Sequence, residues 1–599
     1  MMQYRREIDG LRAVAVMPVL FSHAGFVFFS GGFVGVDIFF VISGYLITKI
    51  ILGEIEQNRF SIAKFYERRA RRILPASFLV MLCTIPAAWL LIGVDGLQNY
   101  GQSVVATTLF SNNILLAITS GYWDLESQFK PLLHTWTLGV EEQYYFVVPL
   151  FLLLVYRISP AWVRLAIVAI GLLSFALCLW MLGPYPAETF YLLPTRAWEL
   201  AVGGYIATLR WTVPERSATA LSSLGLIMIV ASIVSFDETT PFPSAYTLLP
   251  VIGSALVLVF ATNGPVHMLL ATRPMVFIGL ISYSVYLWHQ PLFAFARIAS
   301  TEPPTKSVYA ALILVTILMA YLSWRFVEAP FRDRSRTSIK TLWLTLTPVA
   351  AILVGTGLAM HLSGGFPQRF EQPPNAPPID EYVRYNSSIH KLSLDAFEPG
   401  STDRWLVLGV STARDFVNVM KESGRFRDQQ FVYREDLDLC SFSTLSPEKQ
   451  KLVTDATRIV NVYPPEWKSP CDARTLVASA PFGSKLIFVG PVNFGANLNP
   501  YSRVPLKERA AVRTNITPAI IALNRRYAEI TPPERYIDLI ALLPANGIAM
   551  PVFDATGLPL SIDRVHLTRA GASYASGRVF DSAAWRRAMS MTGGTPPPR

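Results

Sequence analysis

Val407-Leu408-Gly409-Val410-Ser411-Thr412 is a short apolar run broken by a glycine and closed by a serine. The run reads as a buried strand and the glycine as a tight turn, which leaves Ser411 at the turn's tip. Close to the C-terminal end comes Asp563-Arg564-Val565-His566. A serine after a strand and a late Asp-x-x-His can encode a Ser-His-Asp hydrolase or transferase. His566 would take the Ser411 proton, and Asp563 would orient the imidazole. Lys485-Leu486-Ile487-Phe488-Val489-Gly490 is a second convincing strand, followed by Asn493, a candidate donor to an oxyanion. Together these segments predict an α/β domain over residues 400–588, with a tail at 589–599.

The residues before this domain have a different composition. Over the whole chain 52% of residues are hydrophobic and only 16% charged, against about 25% charged in soluble domains. The deficit is concentrated before residue 363. Apolar stretches there fall at about 10–29, 34–52, 75–93, 140–156, 163–183, 192–209, 219–235, 245–261, 275–295, 307–329 and 340–362. Each is near the ~20 residues that cross a bilayer. The first carries Arg12 and His23 and lacks a small-x-small exit, so it reads as a retained anchor rather than a cleaved leader. A further stretch, 102–118, is interrupted by Ser111-Asn112-Asn113 and reads as re-entrant or interfacial.

The loops fix an expected orientation. With the N-terminus in the cytoplasm and eleven crossings, the inside loops collect Lys49, Arg59, Lys64, Arg68, Arg69, Arg71, Arg72, Arg157, Arg164, Arg210, Arg216, Arg273, Arg332, Arg334, Arg336 and Lys340. The outside loops hold Asp95, Asp124, Glu126, Lys130, Glu188, Asp237, Glu238, Arg297, Glu302 and Lys306. That is the positive-inside pattern. An odd number of crossings puts residues 363–599 outside the cytoplasm. The same pattern argues that the net charge of +10 reflects topology and not nucleic-acid binding. Residues 363–399 contain Pro373-Pro374-Asn375-Ala376-Pro377-Pro378 and read as a semi-rigid linker. Of four cysteines, Cys83 and Cys178 fall in apolar segments. Cys440 and Cys471 fall in the outer domain, where a disulfide and two free thiols are both open.

Ionisable groups inside spans are costly and default to functional hypotheses. Arg12 and His23 lie on one helix, ~16 Å apart along its axis. His23 reads either as a proton acceptor or as a structural hydrogen bond. Asp37 follows a glycine-rich stretch (Gly31-Gly32-Phe33-Val34-Gly35-Val36) that allows close helix approach; its other reading is an interfacial cap. Arg68, Arg69, Arg71 and Arg72 suit phosphate or pyrophosphate, or else topology and anionic headgroups. His134, Glu141 and Glu142, Arg196 with Glu199, Tyr286-Leu287-Trp288-His289, and Glu328-Ala329-Pro330 complete the set. No metal-ligand spacing or nucleotide-binding glycine loop stands out.

In this order and combination the segments resemble the acyltransferase-3 membrane family. The likeness is to the subgroup with a fused C-terminal SGNH domain, found in bacterial surface-glycan O-acetyltransferases. It covers 5–335, with an additional helix at 340–362, and more weakly the outer domain. The resemblance implies a polytopic α-helical membrane domain followed by an extracytoplasmic SGNH-hydrolase-like domain, in a bacterial inner membrane. It also implies an acyl-CoA donor, acetyl-CoA above all, approached from the cytoplasm, and a glycan acceptor such as O-antigen, peptidoglycan or exopolysaccharide. Arg12 and His23 match the family's catalytic pair, and Arg68, Arg69, Arg71 and Arg72 its arginine motif, which would hold the CoA phosphates. Ser411, Asp563 and His566 match the SGNH triad. Two departures stand out: Val410 replaces the usual Asp before the serine, and Thr412 a residue that is commonly His. An active outer domain and a degenerate glycan-binding one are therefore both open. The alternative to an acyltransferase is a transporter or flippase for a lipid-linked glycan with a non-catalytic outer domain, and consumption of acyl-CoA separates the two.

Overall fold

A computed structural model describes residues 4–119, 127–209, 213–371, 373–374, 380–466, 471–544, 549–561 and 563–593. Asp124, Glu126 and Arg210 of the loop assignment, residues 375–378 of the Pro-rich stretch and the tail from 594 lie outside the described residues. The chain divides into two compact units, Met1–Arg297 with Pro304–Gly365, and Ile298–Pro303 with Phe366–Arg599.

The first unit is helical. Its elements begin with α1 (Arg6–His23), α2 (Gly35–Glu56), α3 (Ile62–Leu91), α4 (Val94–Thr108), α5 (Asn112–Thr119) and α6 (Trp136–Ile158). Then come α7 (Trp162–Met181), α8 (Pro186–Tyr191), α9 (Leu193–Ala207), α10 (Glu215–Ser235) and α11 (Leu248–Phe260). The last are α12 (Gly264–Leu270), α13 (Arg273–Ala299), α14 (Lys306–Ser323), α15 (Ala329–Arg332) and α16 (Ile339–Leu362).

Each of the eleven expected spans falls on a helix. Among the described residues, seven helices are long and apolar enough to cross a membrane, or eight if the pair bent by 99° at 261–263 is one span. The shortfall has a physical reason. α1 carries Arg6, Glu7, Asp9 and Arg12, α9 is only 15 residues long, and α13 is diluted by Ser282, Ser284, His289 and Gln290. The doubtful stretch 102–118 is split between α4 and α5 by a turn at Phe110, which has positive φ. Neither piece is long enough to span.

Residues 62–72, expected in a loop, form the first turns of α3, whose Ser61 side chain accepts from the Lys64 amide. The glycines of 31–44 do bring helices together. A Cβ on Gly44 of α2 would lie 1.9 Å from the Leu200 carbonyl oxygen of α9, and one on Gly203 of α9 2.1 Å from that of Val41. Any side chain there would force the two helices apart.

The second unit is α/β. Its strands are β1 (Arg404–Leu408), β2 (Gln430–Arg434), β3 (Arg458–Val462), β4 (Leu486–Val489), β5 (Arg513–Asn515), β6 (Tyr536–Ile537) and β7 (Ala549–Pro551). Five of them form a parallel sheet in the order β2-β1-β3-β4-β6, and β5 and β7 form an antiparallel pair. Alternate residues of β1 enter different cores: Trp405 and Val407 pack with Phe416, Val460 and Trp585, whereas Leu406 and Leu408 pack with Ile459, Phe482 and Phe488. The sheet is thus covered on both faces, which is why its strands read as continuous apolar runs.

The expected linker is partly folded. Asp380–Ser387 is helical, and Tyr385 and Ile389 are buried in the core beside β1. The C-terminal helix runs to Met591 with Met589 buried, so the expected tail begins later than 589. Cys440 and Cys471 are joined by a disulfide, Cα to Cα 5.7 Å.

Candidate functional site

Each unit holds one candidate site. In the helical unit, a cavity of about 280 Å³ lies among α1, α2, α3, α6 and α13. Its charged lining is Arg12, Arg69, Arg72 and Glu141, and its apolar and hydroxyl lining includes Phe39, Ile47, Thr137, Tyr145 and Tyr286. Arg12 donates to Asp9 at 2.8 Å, one turn earlier on α1. Glu141 is fixed by two hydroxyls, Ser43 at 2.8 Å and Tyr145 at 3.2 Å. Arg69 lies over the rings of Phe65 and Tyr145. Arg72 has no hydrogen bond or ion pair among the described residues.

The four arginines of α3 divide by face, because residues three apart share one. Arg69 and Arg72 line the cavity; Arg68 and Arg71 do not. Arg68 pairs with Glu54 at 3.0 Å. Arg71 is buried, bonded to Glu67 at 2.8 Å and to the carbonyls of Phe331 and Thr337 at 3.0 and 2.7 Å. Of the four arginines expected to hold the CoA phosphates, two line this cavity, with Arg12 as a third cation from another helix.

Asp37 lies elsewhere. It is absent from the cavity wall and bonds Arg196 at 2.7 Å, while Arg196 pairs with Glu199 at 3.1 Å; all three side chains are fully buried. This is an ion cluster between α2 and α9, enclosed by the rings of Phe40, Trp136, Phe190 and Phe242. Glu142 does not line the cavity, and its Oε1 is buried without a hydrogen-bond partner.

His23 ends α1 and does not line the cavity. Its Nδ1 is 3.2 Å from Nε2 of His289, and Nδ1 of His289 is 2.6 Å from the Tyr286 carbonyl oxygen. His134 lies with its ring centroid 5.3 Å from those of both Tyr286 and His289. Tyr286 donates to the His134 carbonyl at 3.0 Å, and its own oxygen accepts from Thr137 at 3.0 Å. The Arg297 guanidinium donates to the His23 carbonyl. The sequence places His134 at an outer membrane boundary and His289 in a span but does not show their convergence on His23. Only the Tyr-x-x-His spacing within α13 hints at the carbonyl contact.

In the α/β unit, Ser411 opens the helix Ser411–Glu422 directly after β1 and Gly409, whose φ is +129°. A side chain at 409 would be strained, and its Cβ would meet the Val462 carbonyl at 2.6 Å. The serine sits where the sheet order reverses, between β1 and β3, at their carboxyl ends. Such crevices are where parallel α/β sheets bind ligands. The Tyr433 hydroxyl donates to the Val410 carbonyl at 3.3 Å, and the Thr412 hydroxyl to that of Tyr463 at 3.4 Å, tying the turn to β2 and β3.

Asp563 and His566 form the expected pair, Oδ2 to Nδ1 2.5 Å. The second carboxylate oxygen accepts from the backbone amides of Val565 and His566 at 3.0 and 2.8 Å. Burial pushes the Asp563 carboxyl up, but the His566 contact and these amides outweigh it, and it ends below its ordinary value. Burial likewise pushes His566 down, yet Asp563 and then Asp415 hold it above its ordinary value. Asp415, one helical turn after Ser411, was not anticipated. It is 2% exposed, and burial raises its carboxyl to about 7 against the opposing pull of His566. Its i+4 spacing from the serine was the available signal.

Asn493 is buried with its amide committed. Its oxygen accepts from the Gly495 and Thr517 amides at 3.0 and 3.2 Å, and its nitrogen donates to the Gly495 carbonyl at 3.2 Å. It ties a loop that in turn meets the Asp563–His566 turn, through Phe494 N–H to Arg564 O at 2.7 Å. These bonds give it a structural role in that loop.

A family model described as an acyltransferase domain matches residues 5–325. The peptidoglycan O-acetyltransferase OatA of Listeria monocytogenes is 32% identical over 396 residues, which is 60% of this chain and 63% of that protein. YrhL of Bacillus subtilis is 30% identical over 383 residues, 59% of this chain and 60% of its own. The chain thus matches about three fifths of the length of these curated relatives. No solved structure matches.

Proposed function

This chain belongs to the acyltransferase family whose model spans residues 5–325, and on that premise we propose that it is a membrane O-acetyltransferase. It takes an acetyl group from acetyl-CoA on the cytoplasmic side and delivers it to a hydroxyl of a cell-envelope or exported glycan. The chain's orientation is the one that the loop charges favour, with the N-terminus inside and the α/β unit outside a bacterial cytoplasmic membrane. OatA, by its name, modifies peptidoglycan, which makes a glycan the acceptor class in this reading.

The observation that carries the reading is the cavity holding Arg12, Arg69 and Arg72 together. Three guanidiniums without three facing carboxylates suit a polyanionic ligand, since charge-assisted, forked hydrogen bonds recognise phosphate. Volumes of about 300–1,000 Å³ are usual for small-molecule sites. At about 280 Å³ the cavity suits the narrow arm of a CoA thioester better than its whole nucleotide. His23 is the base of the membrane step: it takes the proton of an acceptor hydroxyl as that oxygen bonds to the acetyl carbon, and returns it to the departing CoA thiolate. Outside, in an SGNH-like site, the Ser411 hydroxyl attacks the ester so formed with His566 as base and Asp563 as its orienter; the first hydroxyl leaves with the proton, and the acetyl-serine then passes its group to the glycan.

The test is acetate released by mild base from envelope glycans of cells carrying the wild-type chain, His23→Ala or Ser411→Ala at equal abundance. Loss in both variants supports a two-stage relay. Loss in His23→Ala alone means that the helical unit acylates the glycan directly. Acetylation untouched in both variants would end the proposal.

A further inference from the structure

The three-membered chain from Tyr286 through His289 to His23 fixes which nitrogen of His23 can act as a base. A backbone carbonyl oxygen only accepts hydrogen bonds. Nδ1 of His289, 2.6 Å from the Tyr286 carbonyl oxygen, must therefore carry that ring's hydrogen. With one proton per ring, Nε2 of His289 is bare and can only accept. Its neighbour at 3.2 Å is Nδ1 of His23, which must then carry the hydrogen of the second ring. The lone pair of His23 is left on Nε2.

We infer that His289 is a positioning residue that holds His23 in its Nδ1–H tautomer, leaving Nε2 as the proton acceptor. The inference rests on the reading of His23 as the base of the membrane half-reaction. The arrangement is a neutral counterpart of the carboxylate that orients a triad histidine, with an imidazole anchored to a carbonyl in the carboxylate's place. The step balances as follows. Nε2 takes the proton of a hydroxyl as its oxygen bonds to the acyl carbon, the carbon–sulfur bond breaks, and the thiolate leaves with that proton. Throughout, Nδ1–H of His23 stays bonded to His289, so no proton need pass to the second ring.

The surroundings agree with this assignment. His289 is fully buried on α13, and His23 is held at the other end by Arg297, which donates to its backbone carbonyl. The ring of His134, with its centroid 5.3 Å from that of His289, flanks the pair.

The test uses membrane vesicles bearing the full chain, radiolabelled acetyl-CoA and the vesicles' own envelope glycans. Four chains are compared at equal abundance and equal melting temperature: wild type, His23→Ala, His289→Ala and His289→Gln. Glutamine can place a carbonyl oxygen near where Nε2 stood, so it offers His23 Nδ1–H an acceptor in place of the imidazole. His289→Ala should lower turnover by about 100-fold or more, the scale of one general base, with KM for acetyl-CoA changed less than about 2-fold. His289→Gln should return to within about 10-fold of wild type by restoring the acceptor. A glutamine variant as inactive as the alanine one overturns the acceptor role. So does a His289→Ala chain with wild-type turnover while His23→Ala is inactive. A fully active His23→Ala chain instead removes the reading of His23 on which the inference stands.

Discussion

Arg69 and Arg72 stand three positions apart on α3, and both line the cavity that Arg12 reaches from α1. Arg68 and Arg71, interleaved with them, face away and are spent on Glu54 and on Glu67 with two carbonyls. One run of sequence therefore does two jobs on two faces of a helix.

The first prediction separates those faces. Arg72→Ala, and Arg69→Ala with it, should raise KM for acetyl-CoA by about 10- to 100-fold, since a hydrogen bond to a charged group contributes roughly 1.5–3 kcal/mol. Arg68→Ala should leave KM within about 2-fold, because its partner Glu54 is partly exposed and such a pair contributes little. Arg71→Ala should lower the amount of folded protein. Steady-state kinetics on vesicles at matched abundance decide the matter, and equal KM effects at 68 and 72 would contradict the division.

A second prediction concerns Asp37. With Arg196 and Glu199 it is fully buried, and removing one member of such a cluster strands the others at a cost of about 3–5 kcal/mol. Asp37→Ala should therefore lose melting temperature in detergent and abundance in membranes. The protein that does fold should keep its KM for acetyl-CoA. A stable Asp37→Ala chain with a specific loss of turnover would return Asp37 to the catalytic site.

In both cases the sequence shows the charged residue but not its partner. Apolar runs located the long helices of the membrane unit, because burial in lipid or in a bundle leaves a compositional trace, whereas the short α8, α12 and α15 left none. Ser411, Asp563 and His566 stand out because a turn after a strand and an Asp-x-x-His have local signatures; the fold pairs the last two and seats the first at the β1–β3 crossover. What the sequence withheld is long-range. Asp37 and Arg196 are 159 positions apart, and His23 and His289 are 266 apart. No local spacing says which buried charge meets which. Asn493 is a related case: an amide looks the same in sequence whether it faces a substrate or ties its own loop.

A third prediction comes from the disulfide. Cys440 and Cys471 close a loop with a sequence separation of 31, for which loop entropy gives about 3–4 kcal/mol of stabilisation. The Cys440→Ser, Cys471→Ser double variant should unfold its α/β unit at a lower denaturant concentration, followed by tryptophan fluorescence or limited proteolysis. The helical unit should be unaffected. An unchanged midpoint would mean that the loop is equally ordered without its bridge.

The last prediction is a pH dependence at the outer site. His566 must be neutral to accept the Ser411 proton, and Asp563 and Asp415 hold it above its ordinary value, near 6.5 in model peptides. The Ser411-dependent hydrolysis of a chromogenic acetyl ester by the full chain should therefore have its acidic limb above pH ~6.5. Asp415→Asn removes a carboxyl that favours the imidazolium where it is ionised, toward and above pH ~7, so its limb should move to lower pH. Stability runs in a definite direction as well. The Asp415 carboxyl is raised to about 7 when folded, so folding retains a proton that the unfolded chain gives up near 3.9. Its contribution is complete below that value and is lost as pH rises toward 7. Asp563 has the opposite sign: it lies below its ordinary value in the folded state, so its stabilisation is present above the unfolded value and lost in acid. Asp415→Asn should flatten the loss of melting temperature between pH ~4 and ~7, whereas Asp563→Asn should destabilise the unit at neutral pH and abolish ester hydrolysis. An acidic limb that stays in place in Asp415→Asn would show that this carboxyl does not act on His566.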